Sequence, residues 1–146
     1  MIDLKTALTN ISAKWKYKME EVSPNVWRMD VALKMKDESW RYQFVYVWIV
    51  ETRFQGKPAI YMNSRCGEFN SNLNLYSLLK ESGYGNYCSV TVTTDKRADG
   101  SPCETVIVQA SLAVEFTTEE LLDKVLFEVA NGADIIEEKF FGGDVN

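Results

Sequence analysis

The sequence predicts an α+β fold in which helices pack on one face of a five-stranded antiparallel sheet. Three observations support this prediction. Amphipathic segments at both ends of the chain and near its middle have helical spacing, five other segments have the length and composition of strands, and polar turns separate those strands. The predicted order is α-β-β-β-α-β-β-α. Because the 146 residues contain no repeat and no linker, we expect one domain over residues 1–146.

The three helices are predicted from apolar residues that recur every three or four positions. The second spans residues 70–82, with Gly83 where a C-terminal glycine belongs. In the third, Thr117 and Glu120 form the T-x-x-E pattern of a capping box, and Gly142-Gly143 marks the end. The apolar stripes are Leu4, Leu8, Ile11 and Trp15 in the first helix, Leu75, Leu78 and Leu79 in the second, and Leu122, Val125, Leu126, Val129, Ala133 and Ile136 in the third.

Three of the five predicted strands alternate apolar and polar residues, so each has one buried face. They cover residues 26–36, 87–94 and 104–116. The side chains expected to face the core are Trp27, Met29, Val31, Leu33 and Met35, then Cys88, Val90 and Val92, and finally Val106, Val108, Ala110, Leu112 and Val114.

The strand at residues 40–50 is different, because Gln43 is the only polar residue between Tyr42 and Val50. A strand with one face toward water should alternate, so both faces of this one need a partner. One face is aromatic and the other is aliphatic. They carry Trp40, Tyr42, Phe44, Tyr46 and Trp48 on the even side, and Val45, Val47 and Ile49 on the odd side.

The alternating strand before it predicts which of these faces is buried. If Met35 lies opposite Trp40, every apolar residue of the first strand lies opposite an aromatic residue of the second. A slip by one residue would place Arg28 and Asp30 among the aromatic rings, so we expect the first register and an aromatic core face. The expected pairs are Met35–Trp40, Leu33–Tyr42, Val31–Phe44, Met29–Tyr46 and Trp27–Trp48.

The odd face then remains as an aliphatic patch on the outer side of the sheet. The following strand, residues 58–65, extends this patch beside Ile49. Apolar patches rimmed by polar groups are typical of interaction sites. We expect the patch to lie under a helix of the same chain, or else under a second copy or another polypeptide. The predicted partner-binding residues are Val45, Val47, Ile49, Ile60 and Met62.

The composition argues against catalysis. The chain has no histidine, the commonest general base near neutral pH and the commonest metal ligand. Its three cysteines form no metal-binding or disulfide pattern, and no phosphate-binding or dinucleotide fingerprint occurs. We therefore predict a protein that is not an enzyme, with no catalytic residues, no cofactor and no metal.

Charge and hydropathy narrow the choice of partner. The net charge of −5 disfavours nucleic acid, although residues 1–65 hold 11 basic and 7 acidic side chains and residues 66–146 hold 5 and 14. The apolar run at residues 44–50 is too short to span a bilayer as a helix. The N-terminal segment lacks the apolar region of a signal peptide, and the cysteines suit a reducing compartment, so we expect a cytoplasmic protein.

Two segments of the C-terminal half carry a resemblance to a known family. LNLYSLLKESGYG is followed by two strands and then by LAVEFTTEELLDKVLFEVANGADIIEEKF. This pattern and the element order resemble the YbjN-type bacterial proteins and the secretion-chaperone-like fold of type III secretion chaperones. The resemblance implies a small, non-enzymatic protein that binds other polypeptides, often as a homodimer.

The sequence supports two functional hypotheses. The first is a cytoplasmic protein-binding module, a chaperone, adaptor or regulator, that uses the aliphatic patch and is a homodimer. The second is a carrier of a small apolar ligand in an aromatic-lined cavity between the sheet and the C-terminal helix. The side chains predicted to line that cavity are Trp15, Trp27, Trp40, Tyr42, Phe44, Tyr46, Trp48 and Tyr61.

Overall fold

The structure, a computed structural model, describes residues 1–142 apart from the side chain of Tyr84. Three α-helices and six β-strands make up most of this part of the chain. Short 3₁₀ turns occur at Ser82–Tyr84 and Val114–Phe116. The elements in chain order are α1 (Leu4–Trp15), β1 (Lys18–Ser23), β2 (Val26–Lys34), β3 (Trp40–Phe54), β4 (Lys57–Glu68), α2 (Leu75–Glu81), β5 (Ser89–Lys96), β6 (Pro102–Ala113) and α3 (Glu119–Phe141).

The strands form one antiparallel sheet with the order β1-β2-β3-β4-β6-β5. Helix α3 contacts β2, β3, β4 and β6, whereas α1 contacts β1 and α3. The buried side chains of α1 and α3 form one hydrophobic core with the sheet residues that face them. The predicted α+β class and antiparallel sheet are therefore confirmed.

The sheet has six strands in the described residues, not the five predicted, because β1 was missed. This strand pairs with β2 at the edge of the sheet, and most of its side chains are exposed. Lys18, Glu20 and Glu21 occupy half of it. An edge strand with little burial on either face carries no alternation for sequence reasoning to detect.

The helix ends are set by side-chain caps. Asp3 accepts a hydrogen bond from the backbone N–H of Thr6 at the start of α1. Helix α3 begins after Thr118, which accepts from the N–H of Leu121, so the predicted capping box at Thr117 is wrong. Thr117 instead donates its hydroxyl proton to the carbonyl oxygen of Ala113 at 2.6 Å.

The other ends of the helices agree with the sequence in part. Helix α3 ends at Phe141 and is capped by Gly142, whose φ of +76° suits a glycine, while Gly143 lies outside the described residues. Helix α2 is shorter than the predicted 70–82, because Asn74 caps its start and the 3₁₀ turn follows Glu81. The predicted apolar stripe of α3 is confirmed: Leu122, Val125, Leu126, Val129, Ala133 and Ile136 are all buried.

The register between β2 and β3 differs by one residue from the prediction. Met29 lies opposite Val45, and Trp27 lies opposite Val47. The odd-numbered residues of both strands therefore share one face, and Val45 and Val47 have exposed fractions of 0%. Because Trp40 and Tyr42 are 56% and 57% exposed, the predicted aromatic core face is wrong.

The observed register is stabilised on both faces of the sheet. On the helix side, β-branched aliphatic residues pack against the apolar stripe of α3. On the other side, the guanidinium of Arg28 lies over the ring of Phe44 and pairs with Asp30 at 3.0 Å. The expectation that Arg28 and Asp30 would be unfavourable among aromatic rings ignored this cation–π contact.

The single polar residue of the long apolar segment is buried on the helix side. Gln43 is 1% exposed, and its amide donates to the hydroxyl of Ser64 at 3.1 Å and to the carbonyl of Arg65 at 3.0 Å. Ser64 in turn donates to the carbonyl of Phe44 at 2.7 Å. These bonds offset the desolvation of the amide, so a polar side chain is tolerated in the core.

The prediction for the remaining strands is largely confirmed. Ile60 lies opposite Ile49, and Met62 lies opposite Val47, so β4 does join the odd face of β3. On β5, Val90 is partly buried against the core but Val92 is 43% exposed. The predicted inward-facing residues of the last strand are buried: Val106, Val108, Ala110 and Leu112 in β6, and Val114 in the 3₁₀ turn that follows it. None of the helices described is both long and apolar enough to cross a membrane.

Candidate functional site: the aromatic face of the sheet

The five predicted partner-binding residues do not form an exposed patch. Val45, Val47, Ile60 and Met62 are each 0% exposed and belong to the core covered by α1 and α3. Ile49, near the end of the buried part of β3, is 36% exposed. A side chain buried in its own chain has no area to offer a partner, so the predicted patch is wrong.

The opposite side of the sheet carries the aromatic residues instead. We call this surface the aromatic face. It is turned away from α1 and α3, because successive residues of a strand point to opposite sides and the odd-numbered residues of β3 face the helices. Its rings are Tyr42, Phe44, Tyr46 and Trp48 of β3 and Tyr61 of β4.

Tyr61 is the most enclosed ring of the aromatic face, with 8% of its surface exposed. Trp48 packs edge-on against it at a centroid distance of 4.8 Å, and the guanidinium of Arg53 lies 4.4 Å above its centroid. Its hydroxyl donates to Gln109 of β6 at 2.8 Å and accepts from Asn63 at 3.3 Å. Strands β3, β4 and β6 are thus tied together at this point by side chains as well as by the backbone.

Arginines lie over two of the rings and are held in place by polar partners. Arg28 pairs with Glu20 at 3.2 Å in addition to Asp30. Arg53 donates from Nε to the hydroxyl of Ser111 at 2.6 Å. A guanidinium stacked on a ring covers part of it but keeps its own donors available at the edge of the plane.

A shallow depression of about 260 Å³ interrupts the aromatic face between β3 and β5. Tyr46 and Trp48 form its aromatic wall, and the ion pair between Arg65 and Asp95 lies on the other side. Ile107 contributes a buried apolar surface. The aromatic face therefore presents rings, hydrogen-bonding groups and charges within one contiguous surface.

Two of the three thiols, those of Cys66 and Cys88, are poor nucleophiles in this structure. Burial raises the pKa of Cys66, and the nearby carboxylate of Glu137 raises it further. Burial, together with Glu128, raises the pKa of Cys88 to about 12. Both side chains are therefore protonated near neutral pH, and the thiolate is the reactive form. Within residues 1–142, no three His, Cys, Asp or Glu side chains are placed to hold a metal ion.

The cavity of the second hypothesis does not have the predicted lining. Phe44, Tyr46 and Trp48 lie on the side of the sheet that faces away from α3. Trp27 does face the core, whereas Trp15 at the end of α1 is 51% exposed. The aromatic residues at even-numbered positions of β3 are evident in the sequence, but the sequence pattern predicts that they face the core.

No protein-family model and no curated protein matches this chain. The resemblance to YbjN-type proteins and secretion chaperones accordingly stays a prediction.

Proposed function

We propose that the protein is a non-enzymatic protein-binding module, of the chaperone, adaptor or regulator type, that binds its partner through the aromatic face. One observation carries the proposal: a row of aromatic side chains with stacked arginines lies on the side of the sheet that faces away from α1 and α3. Aromatic residues and arginine are the residue types most enriched in the energetically important parts of protein interfaces.

The side of the sheet that carries the aromatic face has an area of the order needed for an interface between proteins. Strands lie about 4.8 Å apart and rise about 3.3 Å per residue, so the six strands span about 24 Å and about seven residues span about 23 Å, a projected area of about 550 Å². Side chains standing on that area expose more surface than its projection. This side of the sheet is therefore comparable with the roughly 800 Å² per partner of a standard-sized interface.

The charges on the aromatic face are largely balanced, which favours a second copy of the chain as the partner. Arg28 is paired with Asp30 and Glu20, and Arg65 with Asp95. Two identical faces can approach about a twofold axis without strong repulsion when each has little net charge. The stacked sheets would be about 10 Å apart, with the rings between them.

The resemblance noted in the sequence supports the same class of function. Secretion-chaperone-like proteins bind other polypeptides and are often homodimers, and a cytoplasmic location belongs to the same proposal. The homodimer here uses the aromatic face rather than the aliphatic patch, because that patch is buried in the core.

The oligomeric state of variants tests this proposal. Tyr42→Glu/Tyr46→Glu introduces two charges on the aromatic face, and Tyr76→Glu introduces one at a side chain of α2 that is 73% exposed. Light scattering should give twice the 16.7 kDa chain mass for the wild type and for Tyr76→Glu, and the single-chain mass for the double variant. A wild type of single-chain mass, or a double variant that remains dimeric while folded, contradicts the proposal.

A further inference from the structure

A groove of about 330 Å³ lies between α3 and the start of β5, away from the aromatic face. We call it the α3–β5 groove. Aliphatic side chains of α3, β5 and β6 form much of its wall, together with the exposed ring of Phe127. The aliphatic residues are Val90, Val108, Ile135 and Ile136. Its volume lies at the lower end of the roughly 300–1,000 Å³ typical of small-molecule sites.

Gly132 keeps part of this groove open. It lies in the interior of α3, where glycine is less favourable than alanine. A Cβ atom built there would lie 3.5 Å from Val108 and 3.7 Å from the thiol of Cys88, which are ordinary contact distances. Packing within the chain therefore does not require glycine at this position. The absence of a side chain at Gly132 leaves space in the groove.

The mouth of the groove is held in a fixed shape by Glu128. Its carboxylate accepts backbone N–H groups from Asn86 at 2.9 Å, from Tyr87 at 2.8 Å and from Cys88 at 2.8 Å. Partial burial raises the pKa of Glu128, but these hydrogen bonds lower it more, and the net shift is downward. The carboxylate is therefore charged at neutral pH, and the loop before β5 is fastened to α3.

The charges around the groove are negative. Glu81 and Glu128 both line it, whereas neither lysine nor arginine is among the described residues that do. Lys139 pairs with Glu81 at 2.6 Å from outside the lining, which leaves Glu128 as the main charge at the mouth. An anionic ligand would meet repulsion here, and a cationic ligand would meet attraction.

We propose that the α3–β5 groove binds a small apolar organic cation. Its hydrocarbon part packs against the aliphatic wall beside Gly132, and its ammonium group lies at the carboxylate of Glu128. This site is separate from the aromatic face and does not depend on the homodimer. It explains why α3 carries a glycine that its own packing does not need.

Calorimetric titration of the full chain with three probes tests the proposal. Octylammonium and octanoate have the same chain length and opposite charges, and ethylammonium has the charge without the long chain. The proposal predicts saturable binding of octylammonium at least tenfold tighter than that of either other probe. Equal binding of octylammonium and octanoate, or no saturable binding, overturns it.

Variants locate the binding in the groove. Gly132→Leu fills the space in the groove and should weaken octylammonium binding at least tenfold. Gly83→Ala is the control, because Gly83 lies outside the lining and has open space around it, and this variant should bind octylammonium as the wild type does. Gly132→Ala provides a milder second variant, which should raise the unfolding midpoint and still weaken binding. The Tyr42→Glu/Tyr46→Glu protein should bind the probe unchanged, which separates this test from that of the aromatic face. Unaltered binding in both Gly132 variants overturns the proposal.

Discussion

The guanidinium of Arg28 lies 4.6 Å from the ring centroid of Phe44, so a cation of β2 stacks on an aromatic ring of β3. The contact is diagonal, because Phe44 lies directly opposite Asp30. It exists only in the observed register, in which the charged residues of β2 and the aromatic residues of β3 share one face. The stabilisation of the sheet and the composition of the proposed binding surface therefore depend on the same pairing.

Replacing Arg28 should destabilise the fold without unfolding it. Arg28→Met removes the cation–π contact and the ion pair with Asp30, and it should lower the free energy of unfolding by about 1–2 kcal/mol. Arg28→Lys keeps the positive charge, so its free energy of unfolding should fall by less than that of Arg28→Met. Urea unfolding measures both values. Equal stability of wild type and Arg28→Met would show that the contact contributes nothing.

Carboxylates placed on the two faces of β3 should have opposite consequences. Val47→Asp puts a charge in the core beneath α3 and should destabilise the protein by several kcal/mol, enough to unfold it. Tyr42→Asp places the same group on a side chain that is 57% exposed and should cost about 1 kcal/mol or less. Far-ultraviolet circular dichroism and thermal unfolding distinguish the two. A folded Val47→Asp together with an unfolded Tyr42→Asp would reverse the assignment of the faces.

The buried thiols should make the protein less stable in alkaline solution. Folding raises the pKa of Cys88 from the ordinary 9.0 to about 12, so the unfolded chain releases this proton first as the pH rises. The stabilisation from the protonated thiol is complete below pH 9.0 and is lost as the pH rises toward 12.

Comparison of variants isolates this effect. Between pH 9.0 and about 12, the Cys88 thiol should make the free energy of unfolding of the wild type fall by about 1.4 kcal/mol per pH unit. Cys88→Ala should show a slope shallower by that amount. Tyr17, whose pKa burial also raises, contributes equally to both proteins. Identical slopes in urea unfolding at several alkaline pH values would refute the prediction.

Glu128 should stabilise the junction between α3 and β5. Glu128→Ala leaves the N–H groups of Asn86, Tyr87 and Cys88 without their acceptor, and it should reduce the free energy of unfolding by about 2 kcal/mol. The matched change Glu120→Ala, near the start of the same helix, should cost less than about 1 kcal/mol.

The pH dependence of this effect has a defined sign. Because the pKa of Glu128 is lowered on folding, its contribution to stability is present above pH 4.5, the ordinary pKa, and is lost as the pH falls through the lowered pKa.

Hydrogen exchange of the backbone N–H groups of Asn86, Tyr87 and Cys88 should be faster in Glu128→Ala than in Glu120→Ala. Equal exchange rates would mean that the loop is held by other contacts.

The elements that the sequence predicted well are those with one buried and one exposed face. The stripe of α3 and the inward-facing residues of β6 are set by their own sequence, and the structure buries both as predicted, although Ile107 on the other face of β6 is buried as well. Strand β1 was missed because neither of its faces is substantially buried. Its pairing with β2 depends on the turn and the neighbouring backbone rather than on a pattern of side chains.

The prediction of which face of β3 contacts the helices is wrong for a different reason. Both faces of this strand are apolar, so the local sequence does not determine which one contacts the helices. That choice is made by long-range packing, since aliphatic residues of β3 and β4 fit beneath α3 while the rings are covered by arginines. Gln43, the only polar residue of the segment, points toward the core and is satisfied by Ser64, a contact that the sequence does not reveal.

The proposed function depends on β3 turning its rings away from the helices, and cross-strand nuclear Overhauser contacts between β2 and β3 decide whether it does. If the rings face outward, backbone proton contacts are expected for directly opposed pairs such as Met29–Val45 and Val31–Gln43. Contacts for Met29–Tyr46 and Val31–Phe44 instead would place the rings beneath α3. That result would contradict the aromatic face and the function proposed for it.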